Sequence, residues 1–169
     1  MISSKVTIND AEIKIKHEEC SDPSCYQEKN IFIESCSPDN NTLSTITFND
    51  YLTICIFWES CSSGVSQELL YVPETGVLFL GCGSISARVS TLDSKLIGTE
   101  NICLFWGLSR HKEYVLEAGE LECFLYSLSG KKISSAAVDP PYEIEVTDSG
   151  IKFESMVLGS TWLRYESNG

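Results

Sequence analysis

The chain has no long apolar run and no excess of basic residues. None of its 169 residues lies in an apolar stretch approaching the ~20 residues that span a bilayer, and its start lacks the apolar segment of a secretory signal. It has 12 Lys and Arg against 24 Asp and Glu, a formal net charge of -12. Such a field repels phosphate backbones and anionic lipids but attracts basic proteins. We therefore expect a cytoplasmic protein that binds neither nucleic acid nor membrane.

Helix signals are also scarce, whereas strand signals recur along the whole chain. Short segments rich in β-branched and aromatic residues are bounded by Gly, Ser, Asn or Asp, mostly at spacings of 8–12 residues. This spacing predicts one all-β domain over residues 1–169, since no low-complexity linker divides the chain. The predicted strands are Val6–Ile8, Ile13–Ile15, Ile31–Ile33, Thr45–Phe48, Tyr51–Trp58, Gly76–Leu80, Ile85–Val89, Asn101–Trp106, Leu121–Leu128 and Tyr142–Val146.

Two segments alternate strictly between apolar and acidic residues. In the first, Leu121, Cys123 and Leu125 share one face of a predicted strand, while Glu120 and Glu122 share the other. Side chains of successive strand residues point to opposite faces, so we expect the apolar set to be buried and the glutamates to be exposed.

The second alternating segment predicts a hairpin. Ile144 and Val146 are expected to point inward, with Glu143 and Glu145 outward. The turn 148–150 then leads into a returning strand, and its Gly suits the positive φ that such turns require.

Internal repetition is the most informative feature of the sequence. Ile54–Trp58 returns as Ile102–Trp106 at an offset of 48. Later matches have offsets of 38 and 36, as expected when duplicated units lose residues only in loops. The matched sets are Val77, Leu78 and Gly81 with Val115, Leu116 and Gly119, and Leu92, Lys95 and Ile97 with Leu128, Lys131 and Ile133. We infer blade-like repeats at 51–97 and 98–135, with 1–50 and 136–169 adding terminal strands that complete the stack.

Residues 114–133 resemble a blade of the quinoprotein-like propellers. A strand ends near Ser127, a Gly130-Lys131 turn follows, and an outer strand comes next. The resemblance implies blades of about four strands. Closed propellers need ~4–8 blades, so two to three repeats predict an open, half-propeller-like stack of antiparallel sheets. The Trp that usually follows the turn in those propellers is absent from 133–135, and we expect no cofactor.

The eight cysteines are expected to be thiols, because a reducing compartment does not maintain disulfides. Cys55, Cys82, Cys103 and Cys123 lie within or beside apolar runs, where a free cysteine behaves as a small apolar residue. Trp58 and Trp106 hold equivalent positions in the repeat, and both are also predicted to pack inside the protein.

One candidate metal set is present in the N-terminal third of the chain. It consists of His17, Cys20, Cys25 and Cys36, with Cys61 as a spare ligand. Zinc sites usually begin with a tight Cys-x2–4-Cys pair and often contain two of them. Only one irregular half is found here, so we expect loop cysteines and no metal.

Signals for catalysis are weak. The chain has two histidines, His17 and His111, and no Gly-x-Ser-x-Gly elbow to present a nucleophile. The segment 81–83 has neither the third Gly nor the following helix of a nucleotide-binding loop. We therefore favour a protein that is not an enzyme, and a hydrolase stays the third alternative.

In size, acidity and truncated propeller-like shape, the chain resembles small bacterial immunity proteins of the contact-dependent growth inhibition type. The resemblance implies binding and neutralisation of a basic, nuclease-type toxin through an acidic surface, by a chain that is a monomer alone. A structural or scaffolding β-module, with charge for solubility only, is the second alternative. The predicted partner-binding residues are Glu117, Glu120, Glu122, Glu143 and Glu145, with Arg110, His111 and Lys112 in a loop that reaches the partner.

Overall fold

Sixteen strands account for most of the computed structural model, which describes residues 2–8, 11–28, 31–60 and 67–165. In this part of the chain the helical structure is one 3-10 turn, Ser24–Tyr26. The strands are β1 (Ile2–Ile8), β2 (Ala11–Glu19), β3 (Ile31–Glu34), β4 (Thr42–Phe48), β5 (Leu52–Trp58), β6 (Glu68–Val72), β7 (Val77–Cys82), β8 (Ile85–Ser90), β9 (Lys95–Asn101), β10 (Phe105–His111), β11 (Tyr114–Gly119), β12 (Glu122–Ser127), β13 (Lys132–Ala137), β14 (Tyr142–Val146), β15 (Gly150–Ser155) and β16 (Gly159–Arg164).

The strands form four sheets. The first has the order β1-β2-β4-β5-β3, with β3 parallel to β5 and every other pair antiparallel. The second (β6 to β9), third (β10 to β13) and fourth (β14 to β16) are antiparallel meanders in chain order. The predicted all-β, open stack of antiparallel sheets is therefore confirmed, and the parallel β3 strand is an addition to it.

Three apolar layers hold consecutive sheets together. Ile54 packs with Leu80 between the first and second sheets, and Phe79 packs with Phe105 between the second and third. The third layer joins the third and fourth sheets. Successive strand residues face opposite sides of their sheet. A strand whose sheet lies between two other sheets is therefore buried on both faces. All six residues of β7 are buried for this reason.

The repeat is present in the structure, but its predicted register is wrong by one residue. Val77 pairs with Ser90 at the end of β7–β8, and Tyr114 pairs with Ser127 at the end of β11–β12, an offset of 37 for both strands. The bulges in β8 and β12, between residues 88 and 89 and between 125 and 126, have the same offset.

The packing confirms the corrected register. Leu78 faces the first sheet, and its equivalent at this offset, Val115, faces the second. The predicted equivalent Leu116 faces the fourth sheet instead. A one-residue slip exchanges the two faces of a strand, so apolar residues alone cannot reveal it where both faces are buried.

The tryptophan segments are not equivalent. Ile54–Trp58 lies inside β5, where Trp58 is 4% exposed. Residues 102–104 connect β9 to β10, so the predicted strand Asn101–Trp106 is wrong, and Trp106 is 42% exposed. The strand that matches β10 as the first of its sheet is β6, which the sequence did not reveal.

Three of the four cysteines predicted to be buried are buried. Cys55, Cys82 and Cys123 lie in the core, whereas Cys103 is exposed in the connection before β10. Of the alternating residues, Cys123 and Leu125 are buried, but Leu121 is 50% exposed just before β12 begins.

Candidate partner-binding surface

The connections between strands lie at two opposite ends of the stack. At one end, Ile102 N donates to Ser84 O over 3.0 Å, Glu120 N donates to Leu104 O over 2.9 Å, and Tyr142 Oη donates to Gly119 O over 2.7 Å. These bonds tie neighbouring sheets into one surface, which we call the acidic end. Its described connections include 35–41, 59–60, 83–84, 102–104, 120–121, 138–141 and 156–158.

Carboxylates accumulate at the acidic end. The connections defined above contain no Lys or Arg in the part of the chain that the structure describes. Glu59 accepts a hydrogen bond from Ser37 Oγ over 2.6 Å, and Glu120 lies 3.3 Å from Cys103 Sγ; neither contact neutralises charge. The acidic residues in and next to these connections include Asp39, Glu59, Glu120, Glu122, Asp139 and Glu143.

The opposite end of the stack has cations paired with its acids. Lys14 Nζ lies 2.6 Å from Asp50, and Lys112 Nζ lies 3.0 Å from Asp148. Each partner shifts the pKa of its mate: that of Lys112 is raised and that of Asp148 is lowered, mainly by their hydrogen bond. The field of the molecule is therefore polarised, with unpaired negative charge concentrated at the acidic end.

The structure divides the residues predicted to bind a partner. Glu120, Glu122 and Glu143 lie at the acidic end, and Glu145 lies two residues along β14 from Glu143. A correction is required for Glu117, which is 1% exposed and cannot contact a partner in this conformation.

The predicted basic loop lies at the opposite end from Glu120, Glu122 and Glu143, because β10 begins at the acidic end and runs away from it. Arg110 there pairs with Glu74 over 2.8 Å, and Lys112 pairs with Asp148. The middle residue of this loop, His111, is half-buried. Arg110, His111 and Lys112 therefore do not share a surface with Glu120, Glu122 and Glu143, which is a second correction to the predicted site.

Exposed apolar side chains lie among the carboxylates of the acidic end. The most exposed are Met156 (89%) and Val157 (76%), in the turn between β15 and β16. Trp106 stacks on Tyr142 with ring centroids 5.0 Å apart. A shallow groove of about 400 Å³ lies beside this pair, lined by Pro141, Tyr142, Glu143, Glu154, Ser155 and Met156. Exposed apolar groups with a charged rim are typical of protein–protein interfaces.

Tyr142 fixes β14 against the third sheet. Its hydroxyl donates to Gly119 O and lies 3.5 Å from Cys123 Sγ. Burial raises the pKa of both Tyr142 and Cys123, so both groups stay neutral near pH 7. The surface around Glu143 is therefore built on an uncharged, hydrogen-bonded support.

A charged network that the sequence did not reveal lies between the second and third sheets. Ser86 Oγ donates to Glu117 Oε1 over 2.7 Å, and Arg88 pairs with Glu100 over 3.2 Å. The Arg88 guanidinium lies 4.4 Å from the ring centre of Tyr126. Burial raises the pKa of Glu117 to about 7, against the opposing effects of Ser86 and Arg88. A signal was available, since Arg88 and Glu117 each interrupt an apolar run.

The candidate metal and catalytic residues are dispersed. His17 lies in β2 with Nδ1 2.8 Å from Ser44 Oγ, and His111 Nε2 lies 2.8 Å from Ser109 Oγ. Burial lowers the pKa of both histidines. Within the described residues, no group of three or more His, Cys, Asp or Glu side chains could hold a metal ion. Cys20, Cys25 and Cys36 are free thiols, and Cys61 lies outside the described residues.

Comparisons of the sequence with family models and with curated proteins find no match. Across the described residues, no helix is long and apolar enough to cross a membrane.

Proposed function

We propose that the chain is an immunity protein, which binds a basic, nuclease-type toxin through the acidic end and neutralises it. The proposal rests on one observation. At the acidic end, carboxylates without cationic partners lie beside exposed apolar side chains on the same surface. A nuclease holds phosphates with clustered cations, so a surface of ordered carboxylates can occupy the same cations. Met156, Val157 and Trp106 supply apolar contact area within the acidic rim.

The two ends of the stack favour this surface over the rest of the molecule. Charge at the opposite end is largely engaged in ion pairs, such as Arg110 with Glu74, whose partners a bound protein would have to separate. Carboxylates without cationic neighbours instead steer a basic protein and speed its association. At the acidic end, therefore, a basic partner gains the most electrostatic attraction and has the fewest existing ion pairs to break.

The test is a capture experiment with charge-matched variants. The wild-type chain is immobilised and exposed to lysate from cells that carry contact-dependent toxins. In parallel, the variant Glu120→Lys/Glu122→Lys reverses two charges at the acidic end, and Asp93→Lys/Glu113→Lys makes the same change in net charge at the opposite end. We expect the wild type and the second variant to retain the same basic protein, and the first variant to lose most of it.

The function of the captured protein decides between the alternatives. A purified partner that cleaves RNA or DNA, and stops doing so when one equivalent of the chain is added, supports the immunity function. A scaffolding module instead predicts either equal capture by both variants or a partner whose activity does not change on binding. Thermal unfolding of both variants checks that the charge reversals leave the fold intact.

A further inference from the structure

The strand β14 forms an open edge of the fourth sheet. All residues from Glu143 to Val146 are exposed. The corresponding first strands of the second and third sheets, β6 and β10, are mostly half-buried, because they lie against a neighbouring sheet. Among the described residues, no strand covers the outer edge of β14.

The hydrogen-bond phase of the hairpin shows which backbone groups this edge presents. Thr147 N donates to Gly150 O over 2.9 Å. Hydrogen-bonded and non-hydrogen-bonded pairs alternate along an antiparallel ladder, so Glu145 and Glu143 bond to β15. The N–H and C=O groups of Ile144 and Val146 then point away from β15 and have no partner within the described chain.

The side chains of β14 present a different chemistry on each face. Glu143 and Glu145 lie on the face that points away from the third sheet. Ile144 and Val146 share the inner face of their cross-strand partners on β15, but they are 45% and 47% exposed because no strand lies outside them. A strand placed alongside would thus meet carboxylates on one face and apolar groups on the other.

The cross-strand neighbours of the two glutamates favour a cation beside them. Glu143 lies directly opposite Glu154 on β15, a like-charge pair that destabilises a sheet. Lys152 lies opposite Glu145, but it forms an ion pair with Glu154. A Lys or Arg on an added strand would relieve the repulsion at Glu143 and would complete the pairing at Glu145.

A second copy of the chain does not fit this edge. Antiparallel self-pairing about Ile144 would place Glu143 of one copy opposite Glu145 of the other, twice over. Like charges directly opposite each other are unfavourable in a sheet. Yet β14 has none of the Lys, Pro or bulge features that commonly block edge pairing altogether. The edge therefore disfavours pairing with a second copy of itself but can accept a strand that carries positive charge.

We propose that β14 accepts an extended segment of a partner protein as an added strand. The segment carries Lys or Arg beside Glu143 and Glu145, and apolar residues beside Ile144 and Val146. Main-chain hydrogen bonds provide affinity and the alternating side chains provide specificity, as in other cases of strand addition. The inference rests on the proposed function, because it names the part of the basic partner that docks and the strand that receives it.

The probe is a fluorescein-labelled peptide of seven residues in which Val and Lys alternate. A control peptide keeps the lysines but has Pro in place of two valines, so that it cannot pair as a strand. Binding to the full chain is followed by fluorescence anisotropy. We expect the alternating peptide to bind and the Pro peptide to bind at least about tenfold more weakly, since backbone pairing contributes much of the affinity in this mode.

Three variants of the chain test the geometry. Glu143→Lys/Glu145→Lys should weaken the alternating peptide about tenfold or more, through loss of two cross-strand charge pairs. Ile144→Pro removes an outward N–H without touching the bonds to β15, and should have a similar effect. Asp93→Lys/Glu113→Lys makes the same change in net charge away from β14 and from the acidic end, and should change the affinity less than about threefold, by screened long-range attraction alone.

The outcomes separate this inference from the proposed function. Equal binding of both peptides, or equal weakening by the two charge variants, overturns strand addition while leaving a basic partner possible. No binding of the alternating peptide also overturns it. A concentration-dependent dimer that Ile144→Pro abolishes, seen by sedimentation, overturns the basic occupant in favour of a second copy. If Ile144→Pro unfolds, the charge variants and the Pro peptide decide.

Discussion

The layer between the first and second sheets and the layer between the second and third sheets differ in whether they contain buried charged side chains. The first layer is built from aliphatic side chains with Phe48 and Trp58, and among the described residues no charged side chain is buried in it. The second combines aromatic rings with the two charged residues that are buried in the described chain, Arg88 and Glu117. Two layers with the same architecture therefore differ in composition: one is apolar, and the other also buries two ionisable side chains, Arg88 and Glu117.

This difference teaches where pH can act on the fold. An aliphatic layer is stabilised by removal of apolar surface from water, which does not depend on pH. A buried carboxyl must either lose its charge or keep a charge that burial makes unfavourable. Glu117 should therefore couple the stability of the second layer to protonation, while the aliphatic contacts of the first layer should not respond.

The largest expected effect is in the aliphatic layer. Leu80→Ala removes a side chain that is 1% exposed and leaves a cavity between the first and second sheets. Substitutions of this kind cost about 2–5 kcal/mol of the free energy of unfolding. Urea denaturation at pH 5 and pH 8 should give the same loss at both values. A loss that varies by more than about 1 kcal/mol with pH would contradict the contrast between the layers.

The second prediction concerns the charged layer and its direction with pH. The folded pKa of Glu117, about 7, lies above the usual 4.5, so the folded state binds a proton more tightly than the unfolded state. The contribution of Glu117 to stability is then highest below pH 4.5 and falls as the pH rises to 7. The total loss is about 3 kcal/mol.

Glu117→Gln should remove this dependence, because the amide is neutral at every pH and its oxygen can still accept from Ser86. Relative to wild type, the variant should be more stable by up to about 3 kcal/mol at pH 8, with a difference that shrinks towards pH 4.5. Urea denaturation across this range measures it. A constant difference at all pH values would mean that Glu117 does not titrate in the folded state.

The smallest effect is expected from the partner of that carboxyl. Ser86→Ala removes the 2.7 Å hydrogen bond to Glu117, and should cost about 1–3 kcal/mol at pH 8, where the acceptor is charged. The cost should be lower at pH 5, where the carboxyl is protonated. In the background of Glu117→Gln, the pH dependence of the Ser86→Ala effect should disappear. A cost that keeps its pH dependence there would assign it to another group.

Much of the fold could be predicted because strand patterns are local. The segments around Thr45–Phe48, Ile85–Val89 and Tyr142–Val146 are confirmed strands, since β-branched runs between turn residues form extended structure wherever they lie. The hairpin over 142–154 is confirmed with its turn for the same reason.

The register of the repeat and the pairing of the tryptophan segments could not be predicted. Where both faces of a strand are buried, as in β7, apolar residues alternate with apolar residues, and sequence similarity does not distinguish one face from the other. The segment around Trp106 resembles the segment around Trp58 in amino-acid sequence, but residues 102–104 form a connection whereas Ile54–Trp58 lies within β5.

The candidate site was predicted in part. Glu120, Glu122, Glu143 and Glu145 were identified as acidic residues of exposed strands, and their alternation with apolar residues was the signal. Glu117 looked like one of them, but it lies between two sheets. The exposed turn 156–158 gave no signal of its own, because its apolar residues are indistinguishable in sequence from those of a buried strand.

Local chemistry was therefore enough to establish an all-β chain and its acidity, because strand propensity and charge belong to residues and their near neighbours. Only the tertiary structure decided which glutamate is buried, which end of the stack collects unpaired carboxylates and which strand edge stays open. Each of these depends on sheets that meet through residues far apart in the chain, as Ser86 meets Glu117, and burial at such contacts is a property of the pair rather than of either segment.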